Sequence, residues 1–471
     1  MAKLALVNPQ LVSSRWKAGL RPQTMDDALP RHGLTFLSAA LKRAGHEVLL
    51  ADLRLLSGWD AYEDLLRTQR PDYVCVTGHT LEAHVSLESL RRAKNVLPEC
   101  ITVAGGIHFS MYPELAIDAG CTDYVIRGEG ELSLVKLANR PAGWPRIFWG
   151  EVPDLDAIPF EDRELYQDYS YRILFPLWDL PTPIIDILTK RGCPWRCRFC
   201  CGPGEQNLFS KPSKKDPEIR IPTFRHRSVS NVIAEMEELY SKYRFRGVVF
   251  SDDQFIIQKE WVEQLCEELH RTGFVRRGVR WWAGARADII CRYPELIEAM
   301  RDAGLHIISI GFESFSDPIL EWLGKGVDRE TNFKAAEICH GLGLDIFANV
   351  MFGIVNSHGE WHIEDDVVSI QAINQIRPRY FSPSFFSPIP GSWFYEWAGE
   401  NGLLGDESPE RMGNRTPSEM KVRGVDYEKL SGLLKQCQKQ FKSPLSDIYR
   451  YYLYRFQVWK QRYGWCKVAV Q

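Results

Sequence analysis

The chain has 471 residues, of which 45% are hydrophobic and 25% charged, with a net charge of -3; it is ordinary in composition and too long for a single core. That charge leaves no basic footprint for nucleic acid, and no apolar run is long enough to cross a bilayer. Twelve cysteines scattered over this length do not make a disulfide framework, and residues 1–7 lead into a strand pattern rather than a cleavable signal, so a cytoplasmic protein with reduced thiols is expected.

Residues 4–7 form a short apolar run stopped by Asn8-Pro9, and residues 33–44 then show helical periodicity. Strand patterns follow at 48–52, 73–77, 101–105 and 124–127, with helical stretches at 60–69 and 82–96. Strands alternating with helices at this pitch imply βαβ units, a parallel sheet and right-handed crossovers. Residues 1–140 are therefore expected to be a Rossmann-like domain. Glycines stand at the carboxyl ends of three of its strands, at Gly78, at Gly105-Gly106, and at Gly128-Glu129-Gly130. Glycine at such places lets a flat or phosphate-bearing ligand approach the backbone. His79 and His108 also follow strands, where a histidine either touches a ligand or makes a local hydrogen bond.

Residues 141–182 are rich in proline, tryptophan and acidic side chains without a sustained period, and read as a connector in which Trp144, Trp149 and Trp178 pack. Alternation resumes at 183–189 and continues with strand patterns at 247–251, 279–283, 306–310, 345–350 and 380–384. Six strands with intervening helices suggest a partial (β/α)6 barrel over residues 183–400, with function concentrated at the strand ends. Directly after the first of these strands, Arg191-Gly192 turns the chain into a loop carrying Cys193-Pro-Trp-Arg-Cys197-Arg-Phe-Cys200. Three thiolates at these spacings are a compact ligand set for one [4Fe–4S] cluster, and three ligands leave one of four irons open. Zinc also takes clustered cysteines, but no second Cys/His pair follows at a suitable spacing. Cys201 reads as a packed thiol next to the triad or as a reactive one. From 401 to 471 the chain reads as mostly helical. Ile448, Tyr452, Phe456, Trp459 and Tyr463 form a stripe among basic residues, suited to docking on the main body or lying on a membrane surface.

The cysteine spacing, Phe199 before the last cysteine and the frame Lys190-Arg191-Gly192 resemble the radical S-adenosylmethionine (SAM) enzymes. The N-terminal strand ends, especially residues 103–108 and 127–131, resemble the cobalamin-binding domain carried by one subgroup, the methyltransferase-like one. The resemblance implies a [4Fe–4S] cluster on Cys193, Cys197 and Cys200 whose open iron binds SAM, and reductive cleavage of SAM to a 5′-deoxyadenosyl radical. It implies that Asp252 and Asp253 lie where the family holds the SAM amino group, that Arg286 pairs with the SAM carboxylate, and that Glu313 or Ser314 reaches the ribose. The segment containing Ile354 would lie against adenine. Asp252 and Asp253 read equally well as helix caps. Cobalamin would touch Gly78, His79, Gly105, Gly106, His108, Gly128 and Glu129. The Asp-x-His-x-x-Gly signature is absent, so no protein lower ligand to cobalt is expected. The implied activity is methyl transfer to an unactivated carbon of a natural-product or lipid-like small molecule, with flavodoxin or ferredoxin as electron donor. Relatives of this subgroup also carry out rearrangement, cyclisation or transfer of a 3-amino-3-carboxypropyl group, the alternative reading.

Overall fold

The computed structural model describes residues 1–9, 31–54, 56–166, 179–202, 223–405 and 422–441. The chain divides into two compact units, one built on Met1–Gln167 and the other on Asp168–Pro203 with Phe224–Glu407.

The first unit is a six-stranded, all-parallel sheet: β1 (Lys3–Asn8), β2 (Glu47–Asp52), β3 (Tyr73–Thr77), β4 (Ile101–Gly105), β5 (Tyr124–Arg127) and β6 (Ile147–Trp149), in the order β2-β1-β3-β4-β5-β6. Ala5 and Val7, Val74 and Val76, and Ala104 point into one core with Tyr62, Leu66, Leu90 and Phe109 from the helices. Such strands, covered on both faces, read as continuous apolar runs. Because the chain passes from β1 out to β2 and then back across β1 to β3, the strand order reverses between β1 and β3. Loops leave to opposite sides there and open a crevice at the carboxyl ends. β6 lies within the stretch expected to be a connector. Its pairing of Val125 with Ile147 and Arg127 with Trp149 extends the sheet past residue 140. Trp149, half-buried, lies under the Arg127 guanidinium, 4.0 Å from ring centroid to Cζ, and Trp144 packs tilted against Phe148. Trp178 lies outside the described residues.

The second unit is also all parallel. β7 (Ile184–Ile187), β10 (Gly247–Phe250), β11 (Arg280–Ala285), β12 (Leu305–Glu313), β13 (Asp345–Phe352) and β14 (Tyr380–Phe385) are adjacent in chain order, so right-handed crossovers put every connecting helix on one face. That is the arrangement of a barrel, here left open because β7 and β14 are its two edges. Ser228, Asp328 and Ser392 each accept an N–H from three residues on and so start the helices Val229–Tyr243, Arg329–Gly341 and Trp393–Glu400. The helix-facing residues of β13, from Ile346 to Phe352 at every second position, are buried, whereas Phe347, Asn349 and Met351 between them are only half-buried. The second face of β13 is therefore less fully covered than its helix face. Arg191-Gly192, expected to begin a loop, instead belongs to a short antiparallel ribbon of β8 (Lys190–Gly192) with β9 (Phe224–His226). The aromatic stripe expected at 448–463 lies outside the described residues.

Candidate cluster and cofactor site

In the second unit the turn from β7 into β8 is pinned before the cysteines begin. Asp252 is buried and accepts the Thr189 N–H at 2.6 Å, the Lys190 N–H at 2.8 Å and the Thr189 hydroxyl. Lys190 is fully buried as well; its ammonium lies 3.7 Å from Asp252 and 3.3 Å from the centroid of Trp261. Burial pushes this lysine down to about 8, against the pull of Asp252. All the acceptor capacity of Asp252 seen here goes to its own fold, so it acts as the fastening of the turn. Asp253, next to it, points to open surface and accepts the Gly192 N–H; surrounding protein and the neighbouring Asp252 charge raise its carboxyl.

In the cysteine loop that follows, each thiol has an N–H donor, two from the loop's own backbone and one from Arg286. The Trp195 backbone serves Cys193, Gly202 donates to Cys200 at 3.4 Å, and the Arg286 guanidinium donates to Cys197 at 3.6 Å. Burial raises Cys193 to about 11 and raises Cys197 in spite of the nearby Lys325 and Arg286 charges. Cys200 is exposed and drawn down to about 7, chiefly by the Cys201 thiol that hydrogen-bonds to it. Among the described residues no three His, Cys, Asp or Glu side chains converge tightly enough to hold one metal ion. Three soft thiols with N–H donors aimed at them are a donor set that suits a thiolate-held iron–sulfur cluster.

Arg286 is committed on every side: Nε to Asp288 at 2.9 Å, Nη1 to Cys197 and Nη2 to the Lys325 carbonyl. The guanidinium is thus turned to the cysteine loop. Glu313 takes the left-handed conformation at φ 64° where β12 slips register against β13, and it accepts from Lys325 Nζ at 2.7 Å. Strain of this kind in a non-glycine residue gathers at functional sites. Ser314 is buried; its hydroxyl accepts the Ser316 N–H and meets the Ser369 hydroxyl, which fastens the loop after β12. Phe199 and Ile354 do come together, in an apolar cluster with Leu323, Phe386 and Phe394.

Sequence reasoning did not reach the second face of the sheet. Cross-strand register aligns Gly311 with Asn349 and Asn349 with Ser382, and Asn349 donates to Ser309 at 2.9 Å. Below them Phe347 stacks on Tyr380. Small and polar side chains over an aromatic floor leave room for an organic ligand. Lys325, buried beside Glu313, was also missed, since a lone lysine between helices carries no local signal.

In the first unit the strand-end loops are laced together. Gly78 N–H donates to Gly105 O and His108 N–H to Gly78 O, while Gly128 N–H bonds the Ser110 hydroxyl. The glycines there differ in what they permit. A Cβ on Gly78 would meet Phe109 at 2.7 Å, and one on Gly106, at φ 88°, would meet Thr77 at 2.5 Å, so both are demanded by internal packing. Gly105 has nothing nearer than 3.5 Å and keeps the close-approach reading. Gly128, at φ 75°, turns the chain into half-buried Glu129. His108 is buried against Phe109 with its ring near Thr80, a local hydrogen bonder; His79 is exposed, and its surroundings and Arg31 push it down to about 4. Asn8, at the end of β1 beside the strand-order reversal, is fully buried with neither amide atom paired among the described residues. An orphaned amide at that crevice, with open Gly105 and exposed His79 on neighbouring strand ends, fits a polar group of a bound ligand.

Residues 187–366 match the radical SAM superfamily and residues 24–138 match the B12 binding domain. An uncharacterized methyltransferase of Pyrococcus horikoshii is 25% identical over 447 residues, covering 90% of this chain and 91% of that protein. The hopanoid C-3 methylase of Methylococcus capsulatus is 29% identical over 385 residues, covering 77% of this chain and 68% of its own. Among solved structures, the cobalamin-dependent S-adenosylmethionine radical enzyme OxsB, with aqua-cobalamin and S-adenosylmethionine bound, superposes with a TM-score of 0.66 over 98% of this chain and 72% of its own, at 14% identity. That identity speaks for the fold alone.

Proposed function

Because the chain belongs to the radical SAM enzymes that carry a B12-binding domain, we propose that it transfers a methyl group to an unactivated carbon of an apolar small molecule. The observation that carries this reading is the cysteine triad at the carboxyl end of the open parallel sheet, each thiol met by one N–H donor. The methylase names of two relatives, one acting on a hopanoid, support methylation and a greasy substrate. When bound, the cluster with SAM would supply a carbon-centred radical, and cobalamin the methyl group.

Cys193, Cys197 and Cys200 would hold the cluster through three of its irons. Asp253, open and anchored by Gly192, would accept from the SAM ammonium, while Phe199 and Ile354 would exclude water from the adenine side. The Gly311, Asn349 and Ser382 layer would face the substrate. In the first unit Asn8, His79 and Gly105 would meet cobalamin.

Anaerobically reconstituted protein incubated with SAM, cobalamin and dithionite tests the reading by mass analysis of SAM-derived products. S-adenosylhomocysteine together with 5′-deoxyadenosine supports methyl transfer. 5′-Deoxyadenosine alone favours non-methylating chemistry on the same scaffold, and the absence of both products refutes a SAM-cleaving role.

A further inference from the structure

Two cations, each enclosed by the fold, stand behind one cluster cysteine. Arg286 donates from Nη1 to Cys197 Sγ at 3.6 Å, with its guanidinium 4.9 Å from the centroid of the Trp195 ring. Its other nitrogens are tied to Asp288 and to the Lys325 carbonyl, so it cannot turn away without breaking both. Lys325 is buried, and its own ammonium is held by Glu313 and the Gly311 carbonyl. Each nitrogen of Arg286 thus has a partner within the fold, and Lys325 has two. A guanidinium locked against a ligand sulfur is a device for setting a cluster's potential, because hydrogen bonds to the sulfurs and local charge are among the terms that fix it.

We propose that Arg286, backed by Lys325, makes the cluster easier to reduce by hydrogen-bonding the Cys197 sulfur, and that it is not the clamp for the SAM carboxylate. The inference rests on the reading that Cys193, Cys197 and Cys200 hold a [4Fe–4S] cluster. Reduction adds one electron from a low-potential one-electron donor, such as dithionite in the assay or a flavodoxin-type protein. No bond forms or breaks in that step and no proton moves. The added negative charge is shared with the thiolate sulfurs, so a charge-assisted N–H···S bond strengthens on reduction. Removing the cation therefore makes the potential more negative.

The test is an EPR-monitored redox titration of the reconstituted full chain without SAM. Arg286→Gln should keep its iron and shift the midpoint downward by about 59 mV or more, the equivalent of a tenfold loss in the one-electron equilibrium constant. Lys325→Gln should shift it the same way by less, and serves if Arg286→Gln fails to assemble. Asp288→Asn removes an anion from the same guanidinium and should leave the midpoint unchanged or raise it. A merely structural role would instead move Asp288→Asn and Arg286→Gln together. An intact cluster whose midpoint is unmoved in Arg286→Gln, with weakened SAM binding, overturns the inference and restores the carboxylate clamp. A parent protein that takes up no reducible cluster overturns the cluster reading and this inference with it.

Discussion

Asp252→Ala removes the acceptor for three donors and leaves Lys190 as a buried charge with no counter-ion. Both side chains are at most 1% exposed, so solvent does not screen the loss. Breaking one partner of a buried pair costs about 3–5 kcal/mol. For a folded unit of this size each kcal/mol moves the midpoint by about 2–4 °C, so the thermal transition should fall by about 6–20 °C. The measurement is calorimetry of the cluster-free, reduced full chain, so that metal binding does not mask the change. Iron uptake should fall as well, since the pinned turn leads within three residues to Cys193. The double variant Lys190→Met/Asp252→Asn should recover much of the loss, because with both charges gone no ion is left unpaired. A transition of Asp252→Ala within about 2 °C of the parent, less than a single kcal/mol, would refute the fastening role.

Asp253→Asn should keep the parent iron content and lose SAM cleavage by about a hundredfold, the scale of an ångström's misplacement of reacting groups; parent-rate cleavage would make Asp253 a bystander. Asp366 accepts from Gly353 N–H and Trp361 Nε1, and burial raises it from 3.8 to about 7. A raised folded value means that the native state holds this proton longer than the unfolded chain. Its contribution is fully present below pH 3.8 and is lost as pH rises through about 7. The melting temperature of the parent minus that of Asp366→Asn should thus be larger at pH 5 than at pH 8, and a difference flat with pH would contradict it. Gly106→Ala should unfold readily, with its Cβ at 2.5 Å from Thr77 and a φ of 88°, whereas Gly105→Ala should melt with the parent and lose cobalamin affinity. Equal melting of the two would void the packing argument.

Periodicity and punctuation carried far in this chain. Each expected parallel strand is present, because a strand covered on both faces must be an apolar run, and apolar runs bounded by glycine and proline are visible without knowing their neighbours. The cysteine loop was legible for the same local reason, since its three thiols lie within eight consecutive residues. β6 was not legible: three residues, Ile147–Trp149, are too few to show a period, and only the edge of β5 makes them a strand. Sequence also could not separate Asp252 from Asp253. Successive side chains leave a strand end in opposite directions, so one turns inward to Thr189, 63 residues away, and the other outward. The identity of Arg286 was likewise plain, but its partner Cys197 stands 89 residues earlier, and geometry alone aims the guanidinium at sulfur. Local patterning, then, determined the elements and the cysteine triad of this protein. Which charge meets which group was decided by the tertiary fold, because those pairings join residues that the backbone brings together only after the sheet has formed.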